Sequence, residues 1–200
     1  MKKIMTFFLV IVSLSCHSEK ISPLTGIAKK YELFDETSGS ELLTKENVIP
    51  AILINGKKVE FEKDKLSDIQ KALGGDIKNS GITGWICFNS PITNSTYWFL
   101  SDNEMQRGYL SGIAISSLDK SSACKITDKK IFISLNNIHP KTPWNKVAKT
   151  WGVKNKPKYG VLIFFSEKEM EDDFTQLNGV NYYITNGLVD GIIYTQVTSN

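Results

Sequence analysis

Side chains able to do chemistry are scarce in this chain of 200 residues: three cysteines, two histidines and 21 carboxylates. His17 lies beside Cys16, and His139 precedes Pro140, a loop or cap position rather than that of a general base. No HExxH, Gly-x-Ser-x-Gly, P-loop or dinucleotide fingerprint occurs. The acids are densest at Glu167, Glu169, Glu171, Asp172 and Asp173. Two carboxylates facing one glycosidic bond could cleave it, one as acid and the other as base or nucleophile. Ser166 ahead of the run instead predicts a short helix start, where acids complement the dipole, so the run reads as a solvated face. A calcium loop would need ordered Asp/Asn alternation with a glycine, which is missing. We therefore assign no catalytic residue, no metal ligand and no cofactor.

Aromatic residues carry more information. Alternate side chains on a strand point to opposite faces. In Thr96-Tyr97-Trp98-Phe99, Tyr97 and Phe99 share a face and Trp98 takes the other. In Asn181-Tyr182-Tyr183-Ile184, Tyr182 and Ile184 share a face opposite Tyr183. One face covers helices. The other, if open, would present Tyr97, Trp98, Tyr182 or Tyr183 to a partner protein, since Tyr and Trp dominate binding hot spots. Equally, loops or the N-terminal arm could cover it.

The chain opens with Met1-Lys2-Lys3, an apolar run from Ile4 to Leu14, and then Ser15-Cys16. A cationic start, a short apolar stretch and small residues make a secretory signal pattern. The run is shorter than the roughly 20 residues needed to span a bilayer. Ser13-Leu14-Ser15-Cys16 resembles the cleavage site of a bacterial lipoprotein precursor. The resemblance implies a lipid on Cys16 and, with His17 following, an outer-membrane address. Ser13 stands where that family has Leu, and Ser13-x-Ser15 also suits ordinary cleavage after Ser15. With Cys16 set aside, Cys87 and Cys124 remain, and an oxidising compartment would pair them. Two buried free thiols are the other reading. No CxxC or zinc-like spacing is present. Removal of residues 1–16 takes Lys2 and Lys3 from 24 basic residues, leaving 22 against 21 acids. That balance excludes the electrostatic footprint of a nucleic-acid binder.

The elements that would position these residues come in two sets. Residues 17–48 are polar and read as a tether, with Leu33-Phe34 and Leu42-Leu43 able to dock. Ile52-Leu53-Ile54 then corresponds to Ile131-Phe132-Ile133 at an offset of 79. Leu66, Ile69, Ala72 and Leu73 make a helix face closed by Gly74. Trp144, Val147 and Trp151 make another closed by Gly152, with Thr142 as N-cap and Pro143 at the first helical position. Three strand candidates follow each helix: Trp85–Phe88, Thr96–Ser101 and Tyr109–Ser117, then Val161–Phe165, Asn181–Asn186 and Leu188–Val197. Gly108-Tyr-Leu-Ser-Gly-Ile and Gly187-Leu-Val-Asp-Gly-Ile share the offset of 79.

This order of elements looks like the tandem fold of the beta-lactamase inhibitory protein and like small outer-membrane lipoproteins of the SmpA/OmlA type. Leu73-Gly74, Tyr97-Trp98-Phe99, Trp151-Gly152 and Tyr182-Tyr183 carry the likeness. The expected fold class is α+β: two tandem units, each a helix on a small antiparallel sheet, in two layers. The expected organisation is a signal peptide at 1–16, a tether at 17–48 and repeats at 49–125 and 126–200. The expected function is a non-enzymatic periplasmic lipoprotein, anchored to the membrane through its N-terminal lipid. Its sheet face would bind an envelope protein, as an inhibitor of a periplasmic enzyme or toxin or as an assembly subunit. The alternative is a carboxylate-dependent cell-wall hydrolase.

Overall fold

Runs of β-branched and aromatic residues dominate the chain beyond residue 80, and they fold as strands. The computed structural model describes residues 24–32, 40–120, 122–155, 157, 160–171 and 173–199. Cys16, the signal segment and Leu33-Phe34 lie outside these residues. The first part of the chain supplies a turn at Gly26–Ala28, α1 (Lys29–Glu32), β1 (Ser40–Leu43), β2 (Ala51–Ile54), β3 (Lys57–Lys58) and α2 (Leu66–Leu73). Then come β4 (Lys78–Ser80), β5 (Thr83–Ser90), β6 (Ser95–Ser101), β7 (Gly112–Ser117), β8 (Lys125–Ile126) and β9 (Ile131–Ser134). The chain closes with α3 (Trp144–Trp151), β10 (Val161–Glu169), β11 (Thr175–Thr185) and β12 (Leu188–Ser199).

The expected α+β class is corrected: 47% of the structure is strand and 15% helix, and the two meanders do not form separate small sheets. They join in one mixed sheet of nine strands, in the order β1-β10-β11-β12-β7-β6-β5-β4 with β8 also on β5. The physical reason lies in β7 and β12, each the last strand of its meander. Both bury side chains on both faces along Gly112–Ile115 and Gly191–Tyr194. A strand enclosed on both faces cannot leave one edge to solvent, and each pairs with the other antiparallel.

The 79-residue offset organises both sheets. Gly112 pairs with Thr195 and Ser116 with Gly191, so adding 79 to one pair and subtracting it from the other exchanges them. Ala114 pairs with its own counterpart, Ile193. In the second sheet, of order β3-β2-β9, Ile52 pairs with Ile133 and Ile54 with Ile131, and Leu53 meets its counterpart Phe132. A pseudo-twofold axis therefore passes through the Ala114–Ile193 and Leu53–Phe132 pairs.

One face of the large sheet packs on α2, α3 and the small sheet, through Phe88, Phe99, Ile115, Phe164, Tyr182 and Tyr194. Leu66, Ile69 and Leu73 of α2 are buried there, as is Val147 of α3. Both helices end as expected at glycines with positive φ, Gly74 and Gly152. The start of α3 differs. Pro143 is its N-cap and makes no side-chain cap bond. Thr142 Oγ1 instead accepts the His139 N–H at 3.0 Å. The acidic run also differs: Ser166–Glu169 stays in β10, held by register with Thr175–Asn178 of β11.

The opposite face is covered by the segment read as a tether. Leu24, Ile27 and Ala28 are buried on Trp98, Ala114, Tyr183 and Ile193. Repeat-equivalent glycines make the bed. A Cβ at Gly112 would stand 2.5 Å from Tyr31 Cε2, and one at Gly191 would overlap Ile27. Further along, Ser40–Leu43 adds to β10 as a parallel edge strand. The molecule thus has three layers: arm, large sheet, and helices with the small sheet. Cys87 and Cys124 are joined in a disulfide across 37 residues, with Cα atoms 5.0 Å apart, which holds the connection between the repeats against β5.

Candidate functional site: a groove along the free edge of β9

The rings expected to meet a partner are inside. Trp98 and Tyr183 lie under the arm, and Tyr182 lies in the core on the other face, near the stacked pair Trp151–Phe164. All four are nearly inaccessible, at 5% or less. The aromatic sheet face is closed because each side of the sheet has its own apolar cover. Tyr97 reaches a concavity. It lines a groove of about 580 Å3 between β9 and the ends of β6 and β7.

The wall of that groove is the edge of β9. Side chains from both faces of β9 line it, Ile131 and Ile133 as well as Phe132 and Ser134, whereas no β2 residue does. Backbone register gives the same answer. The Asn55 N–H donates to the Lys130 carbonyl at 2.9 Å, a directly opposed pair. Antiparallel strands alternate bonded and non-bonded pairs, so Phe132 and Ser134 bond to β2. Ile131 and Ile133 turn their N–H and C=O groups the other way, into the groove. Among the described residues none of these four groups has a hydrogen-bond partner.

The first repeat shows what usually fills such an edge. Asn55-Gly56, both at positive φ, return the chain as β3, and the Val59 N–H donates to the Ile52 carbonyl at 3.0 Å. In the second repeat the turn falls at Asn136-Asn137, also with positive φ, and closes one pair, Leu135 with Ile138. Pro140 then stands where the returning strand would face Ile133. It has no N–H to give, and the chain leaves.

Other strands also end sheets, but they differ from β9. β1 carries Glu41, β3 is Lys57-Lys58 and β4 begins with Lys78, and their side chains are mostly exposed. Such charges guard an edge against pairing with another chain. β9 is Ile-Phe-Ile-Ser, without a charge, and is seated in the core by Ile131 and Ile133 while Phe132 stays 51% exposed.

The rest of the groove is hydroxylic and cationic. Tyr97 donates its hydroxyl to Thr93 Oγ1 at 2.9 Å. Burial raises the pKa of that phenol, which keeps it protonated. His139, Lys141 and Lys146 line the other side, and Lys146 Nζ donates to the Asn137 carbonyl at 2.7 Å. Among the described residues no carboxylate lines the groove.

Carboxylates gather elsewhere. Glu41, Asp102 and Glu167 line a cavity of about 560 Å3 beside Tyr31. Asp102 accepts the Thr83 hydroxyl at 2.6 Å. The carboxyls whose acidity is shifted, Glu60 and Asp68, are surface groups held low by lysine hydrogen bonds. Among the described residues no cluster of three or more His, Cys, Asp or Glu is arranged to hold a metal, and no helix is long and apolar enough to cross a membrane.

Sequence reasoning noted Ile131-Phe132-Ile133 as a strand but not as an open edge. The signals were the lack of charge in the run and the proline five residues after its last hydrophobic turn position, Leu135. A disulfide within the chain is compatible with an extracytoplasmic location. Comparison with protein-family models, with curated proteins and with solved structures finds no match to this chain.

Proposed function

We propose that this protein is a non-enzymatic component of the bacterial cell envelope, carried at the periplasmic side of the outer membrane by a lipid on Cys16, that binds another envelope protein along β9. The unpaired, uncharged edge of β9 carries the reading. Its backbone groups face the groove, with Ile133 8% and Ile131 1% exposed, so an added strand would pair first at Ile133. The partner is engaged at this edge instead of at the aromatic sheet face, which the arm covers. Inhibition of a periplasmic enzyme or toxin and service in an envelope assembly are both compatible with such an edge.

The test is a photoreactive residue in place of Phe132, compared with the same residue in place of Met105, which is exposed on the turn between β6 and β7, outside the groove. In cells, irradiation is expected to give one discrete protein adduct from position 132 and none from position 105. Equal labelling from both, or none from 132, would refute the reading. A hydrolase could act in the cavity lined by Glu41, Asp102 and Glu167. Purified protein that releases fragments from peptidoglycan, and loses that activity in Glu167→Gln, would establish it.

A further inference from the structure

Resting on that reading, we infer that the β9 groove takes an extended acidic segment of its partner, with carboxylate and apolar side chains alternating. Ile133, 8% exposed, offers the N–H donor and carbonyl acceptor nearest the surface, and those of Ile131, 1% exposed, lie two residues deeper along the same edge. An incoming segment three residues long pairs with Ile133.

Residues of an added strand directly opposite Ile131 and Ile133 share their face. That face is the floor formed with Tyr97 and Ile115, which favours apolar side chains there. The residues between them fall on the face of Phe132 and point away from the core. Lys141 and Lys146 line the groove, and Lys129 and Lys130 lead into β9, all four exposed. With no carboxylate among the described lining residues, a cationic segment would be repelled and an anionic one drawn in.

The same charges argue against a second copy of this chain as the occupant. Edge-to-edge pairing of two β9 strands would bring the lysines of both copies together. The chain's own return strand is also excluded, because Pro140 diverts it.

The experiment uses the mature, disulfide-bonded protein and a fluorescein-labelled peptide, Glu-Val-Glu-Val-Glu-Val, read by anisotropy. The peptide is expected to bind saturably, and its counterpart with Lys for Glu is expected to bind at least roughly tenfold more weakly. N-methylation of alternate peptide nitrogens removes the donors facing β9 and is expected to abolish binding. The double variant Lys141→Glu/Lys146→Glu, on exposed side chains, should reverse the charge preference with circular dichroism unchanged. Equal binding of the two peptides, indifference to N-methylation, or no binding at all would overturn the inference. So would sedimentation of the free protein as a dimer that Phe132→Lys dissolves, because a second copy would then be the occupant. If the photoreactive residue at position 132 captures a partner while the acidic peptide fails, the partner-binding reading stands and only this identification falls.

Discussion

At the scale of single residues, Glu62 ties the two ends of the fold together. It sits at a φ of 57°, a left-handed conformation that costs a side-chain-bearing residue about 1 kcal/mol. Its carboxylate repays this by accepting from the Thr198 N–H and the Thr198 hydroxyl, both at 2.7 Å, and from Gln176 Nε2 at 3.0 Å. Hydrogen bonds to a charged group are worth about 1.5–3 kcal/mol. Glu62→Ala is expected to destabilise the fold by about 2 kcal/mol and to speed amide exchange at Thr198. Unchanged exchange there would show that the end of β12 is held otherwise. Gly112 and Gly191 act through what they lack. Alanine at either meets the arm, and overpacking costs about 1–3 kcal/mol, read as a lower urea midpoint at constant m. The glycines were visible in the sequence as part of the repeat, but the ring and methyl groups they make room for come from some 80 and 160 positions away.

At the scale of elements, strands and helix ends were legible and their assembly was not. β5, β6 and β12 fall on strand candidates, and Gly74 and Gly152 close their helices because local chemistry decides such features. The acidic run defeated local reasoning: Ser166 suggested a helix start, but Ser166–Glu169 pairs with four residues of β11, Thr175–Asn178. Strand pairing between distant segments leaves little trace in composition. This is why the sheet fusion through β7 and β12, and the empty edge of β9, had to come from register. The arm is the clearest case. A polar segment read as a tether carries Leu24, Ile27 and Ala28, which complete the second core. Deleting residues 1–32 is expected to bind a hydrophobic dye and broaden the unfolding transition, since Trp98, Tyr183 and Ile193 lose their cover. A sharp transition without dye binding would show the arm to be dispensable. The Cys87–Cys124 bridge closes 37 residues, and replacing both cysteines with alanine should lower stability by about 4 kcal/mol on the chain-entropy estimate.

At the scale of the whole molecule, phenols set the alkaline limit. Burial pushes Tyr31 up to about 12 and raises Tyr97, Tyr182 and Tyr194 as well. Free phenols ionise near pH 10. Below that value both folded and unfolded chains are protonated, and the fold keeps its full stability. As pH rises from about 10 toward 12, the unfolded chain loses protons first and gains ground. Urea midpoints should therefore fall steadily from pH 10 upward, with tyrosinate absorbance appearing together with loss of structure. Tyrosinate forming in an intact fold would contradict it.

The docking of the arm also sets a distance. Leu24 is already buried on the sheet, so with a lipid on Cys16 only residues 17–23 separate the membrane from the folded body. Whatever path they take, eight Cα steps reach at most about 28 Å, less than the length of a 20-residue helix. The protein would work pressed close to its bilayer, able to turn but not to roam. Any partner would have to come to that membrane surface to be bound.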